Sequence, residues 1–216
     1  MLPPFLLSLK VLFFTIPILI LLGGGVGWTL ARREFFGKEC CSLLVQLPLI
    51  LPPSVMGFYL LFFIGRSPLL REMDILFSFP ALVLGASVSA APIMIQSARA
   101  AFASVDRELE DAARTLGKKE SAIFFTVTLP LARRTLLVGL ALSAARALGD
   151  FGVSLMIAGN IPGRTQTLPL YIYNQVETLN FARAHGAALL LVGAGLASLY
   201  AVRMLEEGRK GQHASC

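Results

Sequence analysis

The sequence is short of charge. Only 15% of its 216 residues are Asp, Glu, Lys or Arg, where a soluble globular domain carries about a quarter. That shortage excludes an ordinary solvated domain. Histidine occurs twice, at His185 and His213, and neither stands inside a long apolar run; a haem-bearing membrane subunit would need ligands there. The three cysteines, Cys40, Cys41 and Cys216, form no CxxC pair and no metal-ligand spacing, so no metal site and no thiol chemistry are expected. No G-x-x-x-x-G-K-[ST] phosphate loop occurs, which excludes the chain as an ATPase in its own right. An internal repeat is also missing, against a carrier built from inverted halves. The net charge is +6, but the basic residues are not interleaved with aromatics as on a nucleic-acid surface, and no nucleic-acid partner is expected.

What the sequence has is apolar length. Hydrophobic residues make up 56% of it, and its mean hydropathy is +0.72. The uncharged stretches Val11–Ala31, Cys40–Gly65 and Ile75–Ala98 reach or pass the roughly 20 residues a helix needs to cross a bilayer. The expected fold is therefore an all-α polytopic membrane protein, one transmembrane domain over residues 1–216. Five spans are expected, about 9–31, 41–64, 75–98, 135–158 and 186–203. Arg32-Arg33 follow the first run where a leader would have a small-residue cleavage site, so it reads as a retained span.

The basic residues are sorted by segment. Thirteen Lys and Arg fall in 32–39, 99–134 and the tail from Arg203, against four in 66–74 and 159–185. Excess positive charge marks the cytoplasmic side. This puts the N-terminus outside, and the 99–134 loop and the C-terminal tail in the cytoplasm.

Pro48 and Pro52-Pro53 interrupt the second span. Proline removes a backbone donor, and in lipid the freed carbonyls need protein or a water-filled cavity. The segment is either a kinked packing helix or the wall of a pathway. The Thr167–Asn180 segment is amphipathic but too polar for a sixth span; whether it re-enters the membrane is left open.

The 99–134 loop has an ordered design. Asp106 suits an N-cap, with Glu108, Glu110 and Asp111 in the first turn, where the helix dipole favours carboxylates. Leu109, Ala112, Ala113 and Leu116 stand at i, i+3, i+4 and i+7, one narrow apolar stripe. Gly117 follows at the position where a left-handed residue ends a helix. The stripe either packs on its own bundle or docks into a groove of a partner.

The pattern Asp111-Ala112-Ala113-x-x-x-Gly117, nine residues, then Val127-x-Leu129-Pro130 resembles the EAA loop of ABC-importer permeases. Asp111 replaces the usual Glu and Val127 the usual Ile, and Glu110 sits one residue early. Resemblance to the molybdate branch extends to Ser8-Leu9-Lys10-Val11, to Leu47-Pro48-Leu49-Ile50-Leu51-Pro52-Pro53, and to Ala112-Ala113-Arg114-Thr115-Leu116-Gly117. It continues in Arg146-Ala147-Leu148-Gly149-Asp150-Phe151-Gly152, with Asp150 where that branch usually has Glu, and in the external stretch 159–167.

The resemblance implies the type I ABC importer permease fold, with about five spans and a cytoplasmic coupling helix. It implies a homodimer in the lipid bilayer, two cytoplasmic ATPase subunits that carry ATP-Mg, and an extracytoplasmic molybdate-binding protein. The chain itself would bind no cofactor and catalyse no covalent step. Leu109, Glu110, Asp111, Ala112, Ala113, Leu116, Gly117, Leu129 and Pro130 would serve ATPase coupling. Pro52, Pro53, Arg146, Asp150, Asn160, Thr165 and Thr167 would belong to the pathway and its gate. Sulfate and tungstate permeases are close relatives of this branch, and an ATP-independent channel or carrier is the alternative from another class.

The fourth span carries its own argument. Counting from Thr135, Arg146 would fall about 16 Å along a helix, near the bilayer centre. A charge there costs at least about 2.5–3.5 kcal/mol and needs a partner. Asp150 at i+4 is the expected one, either fixing helix register or shaping the gate. Ala141, Ser143, Ala144, Ala145, Ala147 and Gly149 surround the pair with small side chains, suited to close helix packing. Outside the bilayer, Asn160, Arg164, Thr165, Gln166 and Thr167 offer donors and one cation to an anion, while Pro162-Gly163 marks a type II turn.

Overall fold

In lipid a backbone must satisfy its own polar groups, which leaves helices for apolar runs of this length. The computed structural model describes residues 2–68 and 72–213, with backbone alone at 199, 201–203 and 205–213. Cys216 and the basic side chains of the tail lie outside the described residues. Among the described residues the chain forms helices and no strands.

Helix α1 spans Leu2–Arg32 and contains a π-helical turn at Gly23–Gly27. Helices α2 (Lys38–Ile50) and α3 (Pro53–Arg66) follow, then the long α4 (Phe79–Ala103) and the short α5 (Arg107–Thr115). Helix α6 runs Glu120–Leu148, with a second π-helical turn at Phe124–Thr128. Helices α7 (Gly152–Ala158), α8 (Leu168–Glu177) and α9 (Phe181–His213) complete the order. α1, α4, α6 and Phe181–Ser198 of α9 are long and apolar enough to cross a membrane, and α2 with α3 pass that test only as a pair.

Two of the expected spans are corrected. Residues 41–64 do not form one kinked helix: α2 and α3 meet at a bend of 114°. Pro48 stays within α2. The break falls at Leu51 and Pro52, both extended, because a residue before proline is driven out of the helical region. Pro53 then opens α3 at its first position, where its missing N–H costs nothing. The expected span 135–158 is shifted as well. Its helix begins at Glu120 and stops at Leu148, and Gly149–Phe151 separate it from α7. Most of the 99–134 segment is helix: the short helix expected before Gly117 is α5, and the start of α6 follows the turn. Arg146 lies in the last turn of α6 rather than at its midpoint.

The core is built around α4, which packs against α1, α2, α6 and α7. Its buried face is largely small: Ala81, Gly85, Ala86, Ser89, Ala90, Ala98 and Ala101. Small residues let membrane helices approach until their backbones are in van der Waals contact. The large side chains are outside, with Phe13 and Leu21 of α1, Phe63 of α3, and Leu189 and Leu196 of α9 all more than half exposed. Small inside and large outside suits a bundle whose surroundings are hydrocarbon, where burying Leu gains little over leaving it in lipid.

Candidate functional site

α5 owes its limits to its ends. The Asp106 carboxylate accepts the Glu108 amide at 2.9 Å, capping the first turn. At the other end Gly117 has φ +76°. The Gly117 amide donates to the Arg114 carbonyl at 2.9 Å and the Lys118 amide to the Ala113 carbonyl at 3.3 Å, the pair of bonds of a Schellman motif.

The apolar stripe expected here is divided between two faces. Ala113 turns inward and is 7% exposed, while Leu109 and Leu116 are 50% and 79% exposed, and Ala112 is exposed with them. Leu109, Ala112 and Leu116 thus form an outward apolar face not covered by the chain's own bundle. On the same helix Asp111 pairs with Arg114, whose Nε and Nη2 donate to Glu120 at 2.6 and 3.1 Å. These bonds, to Glu120 first and Asp111 second, raise the Arg114 pKa, so it stays charged and ties α5 to the start of α6.

Glu110 does not share that face. It is 7% exposed, and its Oε1 accepts from Arg32 Nη2 of α1 at 2.7 Å and from Thr128 Oγ1 of α6 at 2.7 Å. Arg32 Nη2 also donates to the Val105 carbonyl at 3.3 Å. Leu129 is half-buried and Pro130 exposed, just beyond the second π-turn. Arg32 and Thr128 were not legible as site residues. Arg32 reads as a topology signal alone, and nothing in the sequence announces a π-turn at Thr128.

The pathway candidates gather elsewhere. Ser89, at mid-α4, donates its hydroxyl to Asp150 Oδ1 at 2.8 Å. Ser154 donates to Oδ2 through both its hydroxyl, at 2.6 Å, and its amide, at 3.0 Å. Arg146 Nη1 stands 3.9 Å from Asp150, with its side chain 33% exposed against 2% for the carboxylate. The expected intrahelical pair is thus a loose contact across the end of α6, and the close partners are hydroxyls and an amide. The reason is the break after Leu148, which turns Asp150 toward α4 and lets it cap α7. Pro52 and Pro53 are both exposed. Gly152 rests on Pro53, where an added Cβ would lie 2.8 Å from the proline ring.

The external stretch also differs from expectation. Thr165, Gln166 and Thr167 are buried. Thr165 Oγ1 accepts the Ile161 amide and donates to the Gly159 carbonyl, and Gln166 donates to Asn160 at 2.9 Å. Asn160, Thr165 and Gln166 therefore hold the loop together, the Thr167 hydroxyl is buried without a partner, and the exposed part is 161–164, with Arg164 in it. Gly163 has φ +75°, and the Arg164 amide reaches the Ile161 carbonyl at 3.1 Å, closing the expected type II turn. The Leu168 amide donates to Ser8 Oγ of α1 at 2.8 Å. α8 packs against α1 and α9.

The structure thus sorts the site residues into two groups. Ser89 and Ala103, the end of α4 near α5, are fourteen residues apart, or about 21 Å along a helix. A groove of about 790 Å³ between α1, α2 and α4 belongs to neither group. It is lined by Phe14, Leu44, Val83 and Pro92 among others, with Ser87 the single hydroxyl, too apolar for an oxyanion. No group of three or more His, Cys, Asp or Glu side chains among the described residues could hold a metal ion.

A family model described as binding-protein-dependent transport system inner membrane component matches residues 5–210. The molybdenum transport system permease protein of Escherichia coli K12 is 37% identical over 201 residues, 90% of this chain and 87% of that protein. Its counterpart in Haemophilus influenzae is 39% identical over 160 residues, 71% and 70% of the two chains. The chloroplastic sulfate permease 2 of Chlamydomonas reinhardtii is 36% identical over 215 residues, 95% of this chain and 58% of that one. Among solved structures, the MetNI methionine ABC transporter in inward-facing conformations includes a chain with the same fold. Its TM-score is 0.66 at 17% identity, covering 92% of this chain and 93% of that one.

Proposed function

The chain belongs to the binding-protein-dependent transport system inner membrane components, and on that footing we propose that it is the permease subunit that carries molybdate or tungstate across the cytoplasmic membrane in an ATP-driven importer. The observation that carries the class is the outward apolar face of α5, Leu109, Ala112 and Leu116, on a helix capped at both ends. Such a face suits a groove on an ATPase. The ion rests on the molybdenum permeases among its relatives.

In this reading two copies form the pathway, two ATPase subunits bind at α5, and a molybdate-binding protein docks at the other end, where 161–164 are exposed. The N-terminus lies outside and the C-terminus in the cytoplasm. ATP-Mg is held by the partners, and this chain binds no cofactor and breaks no bond. Closure of the ATPases would push α5 and rock the helices joined to it. Asp150, with Ser89 and Ser154, fixes the α6–α7 break beside Pro53, on which Gly152 rests, and Pro52 and Pro53 at the bend between α2 and α3 belong to the pathway wall. Arg146, half-exposed and only loosely paired, supplies positive potential for an anion there. Asn160, Thr165 and Thr167 shape the outer loop that the binding protein meets.

The test is uptake of radiolabelled molybdate by proteoliposomes holding this chain, its ATPase and its binding protein, with tungstate and sulfate as competitors. Uptake that needs internal ATP and is blocked by tungstate but not by sulfate is the expected result. A block by sulfate would reassign the ion in line with the sulfate relative, and flux without ATP would overturn the importer.

A further inference from the structure

We propose that Glu110 is a positioning residue, a latch through which α5 grips α1 and α6 together, so that a displacement of α5 reaches both helices at once. The inference deepens the reading of the chain as an importer permease and rests on it. α5 offers its own bundle very little else. Of its nine residues only Glu110 and Ala113 are buried, and Ala113 presents a single methyl. The other link, Arg114 to Glu120, is exposed, and exposed ion pairs hold weakly.

The Glu110 carboxylate is held by Arg32 and Thr128 at 2.7 Å each, and the Arg32 and Glu110 side chains are only 10% and 9% exposed. The Arg32 Nε is buried with no hydrogen-bond partner, and beyond Glu110 the guanidinium reaches only the neutral Val105 carbonyl, at 3.3 Å, so no second anion stands ready if the carboxylate is neutralised. A buried charge stripped of its partner is costly, so this contact is harder to open than the exposed one. The latch also borders an open cleft of about 540 Å³, rimmed by Trp28, Arg33, Arg107 and Asp111.

Both grips depend on a register shift. The π-turn at Gly23–Gly27 lies five residues before Arg32, and the one at Phe124–Thr128 ends on Thr128 itself. A π-turn adds one residue to a helical turn, so everything beyond it is rotated by about 100° from an uninterrupted α-helix. Without the first π-turn the Arg32 guanidinium would leave the Glu110 face of α1. α1 carries its shift just over one turn before Arg32, and α6 carries its own where it meets α5.

The variants are Glu110→Gln, which keeps the shape and removes the charge, Arg32→Lys, which keeps the charge with fewer donors, and Thr128→Val. The first readout is amide exchange in the isolated permease in nanodiscs, which needs neither substrate nor ATPase. Exchange across 107–116 should quicken about tenfold in Glu110→Gln, equivalent to about 1.4 kcal/mol of local opening, while 79–103 is unchanged. Arg32→Lys and Thr128→Val should fall between that variant and wild type.

The second readout is molybdate imported per ATP hydrolysed by the assembled complex. It should fall in Glu110→Gln while the ATPase still co-purifies, with partial recovery in Arg32→Lys. Unaltered exchange at 107–116, an equal rise in 79–103, or wild-type import per ATP would each overturn the latch. If wild-type complex imports no molybdate, the proposed substrate fails, and the exchange measurement still decides the latch.

Discussion

Gly139 of α6 faces Ser97 of α4 across a gap that admits no methyl group: a Cβ on Gly139 would lie 2.2 Å from the Ser97 Cβ. The obstructing atom is fixed to the α4 backbone and cannot rotate away. Gly139→Ala must therefore part α4 and α6 at this contact. The expected cost is about 1–3 kcal/mol, read as a lower apparent melting point in detergent. Adding Ser97→Gly should restore most of it, because the two changes relieve one contact.

Gly117 is the second glycine with a defined duty. Its φ of +76° is reached by other residues at a cost of about 1–2 kcal/mol. Gly117→Val should fray the last turn of α5 and weaken co-purification of the ATPase, with the membrane bundle melting as before. Gly117→Asn should be milder, since Asn tolerates the left-handed region. Equal loss of ATPase binding in both variants would detach the effect from backbone conformation.

Leu116→Asp and Leu109→Asp separate the outward face of α5 from its inward one. Neither leucine is packed away by this chain, so the apparent melting point should stay at the wild-type value. ATPase affinity should fall roughly tenfold or more, as expected when an apolar anchor is lost from an interface. Unchanged affinity would remove α5 from the docking surface.

That face illustrates what the sequence discloses. The start of α5, its end at Gly117 and its amphipathic character are all local, written in Asp106, the acidic first turn and the glycine. The direction of the face is not local. Leu109, Ala112, Ala113 and Leu116 satisfy one periodic template, yet the carboxylate of Glu110 is drawn inward by an arginine 78 residues away. That bond, with the one from Thr128, sets the helix phase, leaving Ala113 inside and the rest of the stripe outside.

Asp150→Ala should be more damaging than Arg146→Gln. The first strands the donors of Ser89 and Ser154 in a buried site, at about 1–3 kcal/mol for each group left unsatisfied. The second removes a half-exposed guanidinium 3.9 Å away. Comparative melting in one detergent reads both. A larger loss in Arg146→Gln would restore the ion pair as the main support of Asp150.

Here the sequence points to the right carboxylate and the wrong partner. Arg146 and Asp150 are four apart, which suggests a pair on one helix face, and an apolar window from 135 to 158 hides the break at Gly149. Hydropathy averages over such an interruption. Ser89 and Ser154 are invisible for the same reason: a lone hydroxyl in an apolar run resembles any small packing residue until the chain is folded. The 159–167 loop misleads in the opposite direction. Its polar residues suggest exposure, but Thr165, Gln166 and Asn160 are consumed by bonds within the loop.

The bond from the Leu168 amide to Ser8 Oγ joins residues 160 positions apart. At synthesis rates of about 5–20 residues per second, roughly 8–32 s separate the manufacture of the two groups. For that interval the first helix waits in the bilayer without the segment that closes its N-terminal end. The contact of Arg32 with Glu110 spans 78 residues and can form in about half that time. Assembly therefore has a built-in sequence, in which the Arg32 end of the first helix is fastened while the Ser8 end is still open. A ribosome stalled between residues 128 and 168 should hold a half-sealed bundle.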